Sequence, residues 1–480
     1  MVPGSDTVRG FRQHQFFFFA QDEWRATGRL NVTYGVRYET YSTPTEVNGK
    51  IATFRDPLSD PAVTTGGALF ANPSRMNFAP RAALAWDLFG TGKTVLRAGA
   101  GIFFDLLGSR DVLVAGNRMP PFFQRAAPAN PPFPNLLDAP TGTLTLAPDT
   151  LDYYLNQPYS AQFQFRVERQ IGTETMVQVG YAGSRGVHLL SQLSNINTAR
   201  PTVLADGRLF FPSSAPRMNP AFANIGIRRS QFDSSYHSLI AGAQRRLRHG
   251  LQFQIKYGWG KSIDNNSLTF TQSDFTSDDG VPTVFNYRAN RGLSDFDLRH
   301  DFAANFSWQV PGPQTGVVKQ IASGWEVHGL FQARSGQHFS PLVGFDRANL
   351  RPSAAGQGQR PDALGVPGES VILGRVDRWF DPLAFGLPVA GFLGNLGRNT
   401  LTGPGIVGLD AAVQKHLWRT ERHSLRLRVE AFNLTNHPNF AIPTDLSLWT
   451  ADGRRLPTAG RITRTNTTSR QVQLALRYSF

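Results

Sequence analysis

The stretch of this sequence that comes nearest to a nucleotide-binding motif is Gly90-Thr91-Gly92-Lys93-Thr94. A phosphate-binding loop needs another glycine five residues before the glycine of its Gly-Lys pair, and Asp87 stands there. It also needs a helix immediately afterwards, because the N–H groups of a helix N-terminus hold the phosphate. The residues after Thr94 alternate as a strand does. We therefore predict a hairpin turn at this position.

Two further groups of residues have chemical potential but incomplete patterns. Gly183-Ser184-Arg185-Gly186 lacks one glycine of the hydrolase nucleophile elbow, because Ala182 replaces it, and no helical pattern follows. We interpret these residues as a flexible loop. His416 and His423 flank a predicted turn, and the histidines do not cluster at the spacing of metal ligands. The sequence therefore predicts no metal site.

Asp295, Asp297 and Asp301 surround Arg299 and could in principle hold a cation. Their spacing lacks the glycine and the glutamate of a calcium-binding loop. The odd-numbered residues share the polar face at the start of a strand, so an ion-pair network with arginines is the favoured interpretation. Nowhere does the sequence combine a nucleophile, a base and oxyanion donors, and we predict neither an enzyme nor a cofactor.

The elements that must position these residues are strands with one apolar and one polar face. The alternation is clearest in residues 470–480, where one face carries Val472, Leu474, Leu476, Tyr478 and Phe480. The same pattern predicts roughly thirteen strands along the chain. They are Phe16–Trp24, Leu30–Tyr38, Ala82–Leu88, Leu96–Phe104, Tyr159–Val167, Val177–Tyr181, Tyr236–Leu247, Leu251–Lys261, Phe302–Val310, Trp325–Ala333, Leu409–Leu417, Leu425–Ala431 and Arg470–Phe480.

The lengths and connections of these strands indicate a membrane barrel. Most strands hold about nine to twelve residues, whereas strands of soluble proteins are usually nearer five or six. A tilted strand needs roughly nine to eleven residues to cross a bilayer. Short turns alternate with long stretches, the longest at about 335–405. We therefore predict an all-β fold, a transmembrane antiparallel β-barrel with short periplasmic turns and long extracellular loops.

The positions of the aromatic residues support this prediction, because aromatic rings favour both surfaces of a membrane. One predicted belt, near the periplasmic ends, contains Trp24, Trp86, Trp308, Trp325, Trp418, Tyr478 and Phe480. The other, near the extracellular ends, contains Tyr38, Tyr159, Tyr181, Tyr236, Tyr257 and Trp259.

Composition narrows the alternatives. The chain contains no cysteine, which excludes disulfides and thiolate metal sites. The sequence contains no run of 18 apolar residues, so it predicts no transmembrane helix. The net charge is +14, but the arginines are spread singly, so we assign the charge to a solvated or pore-lining surface rather than to nucleic-acid binding. Residues 1–6 lack the basic start and apolar stretch of a signal peptide.

Several stretches, taken together and in order, resemble the TonB-dependent receptors of the Oar-like type. They are Asn77–Arg81 with Trp86-Asp87, Lys93–Gly99, Tyr236–Leu239, Lys261–Asp264, Arg299–Phe302, Trp379–Pro382, Gly397–Leu401, Glu430–Asn436 and the terminal strand. The resemblance implies an outer-membrane barrel of about 22 strands that encloses a plug. It also implies a ligand, still unidentified, and an energy-coupling TonB complex as partner.

On this resemblance, residues 1–480 are expected to be the C-terminal part of such a barrel, about 13 of roughly 22 strands. The plug and the signal peptide are expected to be absent from this sequence. Leu476, Tyr478 and Phe480 resemble the end signal that the barrel-assembly machinery reads, and outer-membrane lipid is the expected surroundings. The long loop at 335–405 is the expected region of ligand contact.

Two other functions remain open from the sequence. The first is a surface barrel of the outer membrane that binds or adheres without transport. The second is a soluble all-β carbohydrate-binding protein, which requires short strands whose apolar faces pack inward.

Overall fold

A computed structural model describes residues 5–107, 116–124, 145–267, 283–313, 315–351, 358–365 and 371–480. Thirteen long strands form one antiparallel sheet, and each pairs with the strands before and after it in the chain. The strands are β1 (Gln15–Thr27), β2 (Leu30–Tyr41), β3 (Phe78–Asp87), β4 (Thr94–Phe104), β5 (Tyr159–Ile171), β6 (Thr175–Leu193), β7 (Gly226–Arg248), β8 (Leu251–Asp264), β9 (His300–Gln309), β10 (Trp325–Arg334), β11 (Ile406–Arg419), β12 (Ser424–Phe432) and β13 (Gln471–Ser479). All the strands predicted from the sequence are present.

Little other regular structure accompanies this sheet among the described residues. Asp149–Leu151 pairs in parallel with β7, and Gly292–Leu293 pairs with β8. One short α-helix, Val317–Ala322, lies in the connection between β9 and β10. No helix in the described part of the chain is long and apolar enough to cross a membrane.

Strands β6 and β7 are longer than predicted, with 19 and 23 residues. The interpretation of residues 183–186 as a flexible loop is wrong, because these residues lie within β6 and pair with β7. Gly183 suits this position because the ring of Phe163 covers it, and a Cβ atom there would lie 2.5 Å from that ring. Glycine and serine are poor strand formers, so local sequence gave no sign of this pairing.

The turn predicted at residues 89–93 is confirmed. It joins β3 to β4, and the backbone N–H of Gly92 donates to Asp87 Oδ2 at 2.8 Å. Asp87, which stands where a phosphate-binding loop needs glycine, therefore closes the hairpin.

The two faces of the sheet differ in polarity. Apolar side chains on one face are exposed across its width, for example Phe165 (51%) and Leu474 (71%). The other face carries charge ladders such as Arg97–Glu168–Arg166, with N–O distances of 3.1 and 2.8 Å. An exposed apolar face on long strands contradicts the soluble carbohydrate-binding alternative, whose apolar faces pack inward.

The short-turn ends of the strands carry the first predicted aromatic belt, on the apolar face. Trp24, Trp86, Trp308, Trp325, Trp418, Tyr478 and Phe480 all lie close to these ends. Tyr38 and Tyr159 lie near the opposite ends of β2 and β5, as predicted. Tyr181 and Tyr257 lie in the middle of β6 and β8 instead, because these strands continue to Leu193 and Asp264.

The described parts of six long connections pack together at the other end of the sheet, and we call these parts the loop layer (42–77; 105–107, 116–124 and 145–158; 194–225; 265–267 and 283–299; 335–351, 358–365 and 371–405; and 433–470). Nearly all the buried apolar side chains of the described residues lie in this layer or at the strand ends next to it. The largest cluster joins the last two of the six connections, through residues such as Phe339, Phe380 and Trp449. Burial in this layer raises the pKa of Asp105 and lowers the pKa of Arg217.

Strands β1 and β13 are the two edges of the sheet, and they do not pair with each other in the described structure. Their apolar residues are among the most exposed, including Phe18, Phe19 and Val472. Edge strands with unpaired backbone groups and apolar side chains require a covering partner in either water or lipid.

An arginine placed on the apolar face should destabilise the protein far more than one placed on the polar face. We expect Phe165→Arg to lower stability in lipid vesicles by about 2–4 kcal/mol, because the guanidinium would face hydrocarbon. The matched variant Gln164→Arg, one residue away on the polar face, should have little effect. Denaturant unfolding from vesicles measures both, and equal losses would contradict the assignment of the faces.

Candidate ligand-binding site

A cavity of about 480 Å³ opens on the polar face of β7, β8 and β9, next to the loop layer. Its lining is rich in hydroxyl groups and includes one cation and carboxylates. The lining includes Ser184, Tyr236, Lys256, Gly258, Gly260 and Asp301. A volume of this size is within the range of ligand pockets in proteins.

Strand register explains why these residues meet. Tyr236 of β7 lies opposite Ser184 of β6 on one side and Ser262 of β8 on the other. The hydroxyl groups of these three residues lie side by side at the edge of the cavity nearest the loop layer. On the same face of β8, further from the loop layer, Gly258 lies opposite Asp301 of β9.

Two glycines of β8 create the depression. A Cβ atom on Gly260 would lie 3.3 Å from the Tyr236 ring, so glycine allows the ring to lie against the wall. A Cβ atom on Gly258 would meet nothing closer than the Asp301 carbonyl oxygen at 3.9 Å, so the space above Gly258 is open. The cavity therefore lies beside a tyrosine ring and above an open glycine.

The position of Tyr236 corrects the second predicted aromatic belt. Tyr236 shares the polar face of β7 with Ser238 and Gln244, whereas its neighbour His237 lies on the apolar face. The ring is 39% exposed and faces the cavity instead of the expected bilayer. Tyr236 and Ser238 are two residues apart, so alternation along a strand places both side chains on the polar face. The sequence of β7 mixes polar and apolar residues on each face, which obscured this signal.

Three polar groups of the cavity lack partners within the part of the chain that the structure describes. The Tyr236 hydroxyl, the Lys256 ammonium and the Asp301 carboxylate make no side-chain hydrogen bond or ion pair there. Lys256 and Asp301 are exposed on the polar face, and they lie on adjacent strands. Both are thus accessible to a ligand that offers hydrogen-bond donors and acceptors.

A buried carboxylate holds the wall of the cavity on the side of the loop layer. Asp297 is 1% exposed, and its Oδ1 accepts a hydrogen bond from the backbone N–H of Ser262. Its Oδ2 lies 3.1 Å from Nε2 of His338, which belongs to a different connection of the loop layer. Asp297 therefore ties β8 to the loop layer directly beside the cavity.

A second buried group lies deeper in the same region. Arg398 is 2% exposed and forms ion pairs with Asp264, at the end of β8, and with Asp295, at 3.4 Å. Its Nε donates to the carbonyl of Asn290 at 3.0 Å, and Asn399 Nδ2 donates to Asp295 Oδ1 at 2.7 Å. The Arg398 guanidinium thus holds together its own segment, the end of β8 and the segment that contains Asn290 and Asp295.

The predicted ion-pair network of the acidic group is confirmed for two of its members. Asp295 pairs with Arg398, and Asp297 lies 3.8 Å from Arg299. Asp301 lies apart from the network, because it belongs to β9 and faces the cavity. Two stretches that carry the family resemblance, Lys261–Asp264 and Gly397–Leu401, meet at Arg398. The sequence gave no indication that they would be neighbours.

The two histidines lie in separate surroundings. His423 stacks on Trp418, and its Nδ1 shares a hydrogen bond of 2.8 Å with the Tyr478 hydroxyl. His416 lies on the polar face, 3.9 Å from Glu326. Within the described ranges, no three His, Cys, Asp or Glu side chains are arranged to hold a metal ion.

Of the region expected to contact ligand, residues 335–405, the segments 352–357 and 366–370 lie outside the described residues. Much of the remainder is buried in the loop layer, and it supports the cavity through His338 and Arg398. The terminal residues Leu476 and Tyr478 lie on the exposed apolar face of β13, and Phe480 follows it.

Removal of the buried guanidinium should loosen the loop layer. Arg398→Met leaves Asp264 and Asp295 buried without a counter-charge, which costs about 3–5 kcal/mol when one partner of a buried pair is lost. We expect faster amide hydrogen exchange in residues 284–299 and 396–402. The control Arg375→Met breaks an exposed pair with Asp377 and should change nothing. Unchanged exchange in Arg398→Met would show that the network does not hold the layer.

A comparison with models of known protein families agrees with this architecture. Residues 3–473 match the family model described as "Outer membrane beta barrel domain". The solved structures that match include the outer membrane transporter YddB from Escherichia coli (11% identity, TM-score 0.49, 97% of this chain and 45% of that chain). The pyoverdine receptor FpvA from Pseudomonas aeruginosa also matches (12% identity, TM-score 0.46, 98% and 43%).

This chain thus spans less than half the length of these solved structures. A search of curated proteins found no match. The match to the family model covers nearly the whole chain and agrees with the long antiparallel strands and the exposed apolar face. The chain therefore belongs to the outer membrane β-barrel domain family.

Proposed function

We propose that this chain forms the C-terminal part of the barrel of an Oar-like TonB-dependent receptor, which takes up a ligand across the outer membrane. The observation that carries the proposal is the two-faced sheet. Its apolar face suits lipid, while its polar face holds a cavity of about 480 Å³ below a packed loop layer. A wall of this kind separates a lipid phase from a wet lumen that a ligand can enter.

The orientation of the barrel follows from its two unequal ends. The proposed periplasmic end has short turns and carries the tryptophan-rich belt. The loop layer lies outside the cell, where it covers the cavity and meets the ligand first. This orientation agrees with the usual arrangement of outer-membrane barrels.

Closure of the barrel is supplied, in this proposal, by strands outside residues 1–480. Strands β1 and β13 present unpaired edges, and an open edge in hydrocarbon costs several kcal/mol for each unsatisfied backbone group. A plug outside these residues would fill the lumen and contact the charge ladders of the polar face. Movement of the plug, driven by the TonB complex, would then open the path, so residues 1–480 alone would not carry out energised uptake.

The mass and location of the native product test this proposal. An antibody against the segment around Trp379 detects the protein in fractionated cells. We expect a species in the outer membrane at about twice the mass of this chain, which leaves room for a plug and the remaining strands of a 22-stranded barrel. A species of 53.0 kDa in the same membrane would instead favour a surface barrel for adhesion. A soluble cytoplasmic protein would overturn both.

The terminal residues are proposed to be the signal for the barrel-assembly machinery. Leu476, Tyr478 and Phe480 follow the apolar alternation of β13 and are accessible to a second protein. We expect Phe480→Ala to reduce the amount of folded protein in the outer membrane several-fold, measured by heat-modifiable gel mobility. Ser479→Ala, on the polar face, is the control. Equal folded amounts for Phe480→Ala and wild type would contradict this role.

A further inference from the structure

The cavity between β7, β8 and β9 differs from the rest of the polar face in a way that selects a ligand class. Elsewhere on that face some charges are paired in arginine–glutamate ladders, such as Arg97–Glu168–Arg166 and Arg428–Glu430. In the cavity, the Tyr236 hydroxyl, Lys256 and Asp301 have no side-chain partner among the described residues. Groups that are unpartnered and convergent are free to bind a ligand.

We propose that this cavity binds a neutral oligosaccharide, with Tyr236 as the stacking platform. The inference rests on the proposed function and names the ligand class of that receptor. The Cε2 and hydroxyl edge of Tyr236 lies beside Gly260, and the residue is 39% exposed, so part of the ring is accessible to the C–H face of a sugar. An aromatic ring with a polar tip suits such a ligand, which is apolar on its faces and polar at its edges.

The polar groups of the cavity suit hydroxyl groups, which both donate and accept hydrogen bonds. Lys256 can only donate, an ionised Asp301 can only accept, and the hydroxyls of Ser184 and Tyr236 can do either. The cavity carries both a cation and an anion at its accessible edge. A strongly anionic ligand would meet the Asp301 carboxylate as well as Lys256, whereas a neutral ligand can form hydrogen bonds with both groups.

A peptide is a poorer ligand for this cavity because of the backbone beneath it. The floor is the middle of a continuous sheet, where β8 is paired with β7 on one side and with β9 on the other. No free strand edge remains there for an extended peptide to join, which is the usual source of main-chain affinity. Side-chain hydroxyls and a ring are the groups offered instead.

Binding of the full-length protein, purified from outer membranes, to an array of immobilised neutral oligosaccharides tests the inference. We expect saturable binding to at least one glycan. Tyr236→Ala should weaken it by about tenfold or more, the loss typical of a central aromatic anchor. Gly258→Val should abolish it, since a Cβ atom has room there and the added methyl groups occupy the open space. Tyr181→Ala, on the apolar face of β6, is the control and should bind as wild type does.

Two results would overturn the inference. One is the absence of binding to every neutral glycan by a protein that is folded in the outer membrane. The other is glycan binding that both Tyr236→Ala and Gly258→Val leave unchanged. Binding to an immobilised trialanine peptide that is as strong as binding to the glycans would count in the same way. Location is measured on the same preparation. A protein in the outer membrane that binds no glycan therefore refutes the ligand class alone, and a protein outside that membrane refutes the proposed receptor.

Discussion

The structure depends on one constraint: backbone N–H and C=O groups that enter hydrocarbon must find their partners within the protein. Adjacent strands satisfy this by pairing throughout the sheet, from β1 to β13. Apolar side chains can then cover one face without any need for burial inside the protein. This explains why Phe165 and Leu474 are exposed while the buried apolar residues of the described chain are concentrated in the loop layer.

The loop layer solves a different problem, because it must be ordered in water with little regular structure. Apolar clusters pack its segments together, and buried ion pairs fix how the segments join the strands. Ionised groups such as Arg398 and Asp297 are costly to bury unless every one has a partner. The sheet and the layer therefore meet through polar contacts, and the cavity lies at that junction.

Strand pattern was the most informative feature of the sequence, since side chains alternate strictly between faces of different polarity. The regular strand Leu251–Asp264 was nearly complete in the sequence prediction. The extension of β6 was not predicted, because Gly183 and Ser184 have no strand preference and depend on cross-strand packing. The cavity was missed for a related reason. Tyr236, Asp301 and Gly258 converge only through the register of three strands, which local sequence does not specify.

The most direct test of the two-faced wall is the environment of single residues along β8 in native outer membranes. The chain has no cysteine, so spin labels can be attached to Phe253→Cys, Gln254→Cys, Ile255→Cys and Lys256→Cys one at a time. If the two faces of the sheet differ in this way, the accessibility of the spin labels should alternate from one residue to the next. Labels at 253 and 255 should collide with lipid-soluble oxygen, and labels at 254 and 256 with a water-soluble nickel complex. Equal access of the nickel complex to all four positions would contradict the lipid-facing assignment and with it the barrel.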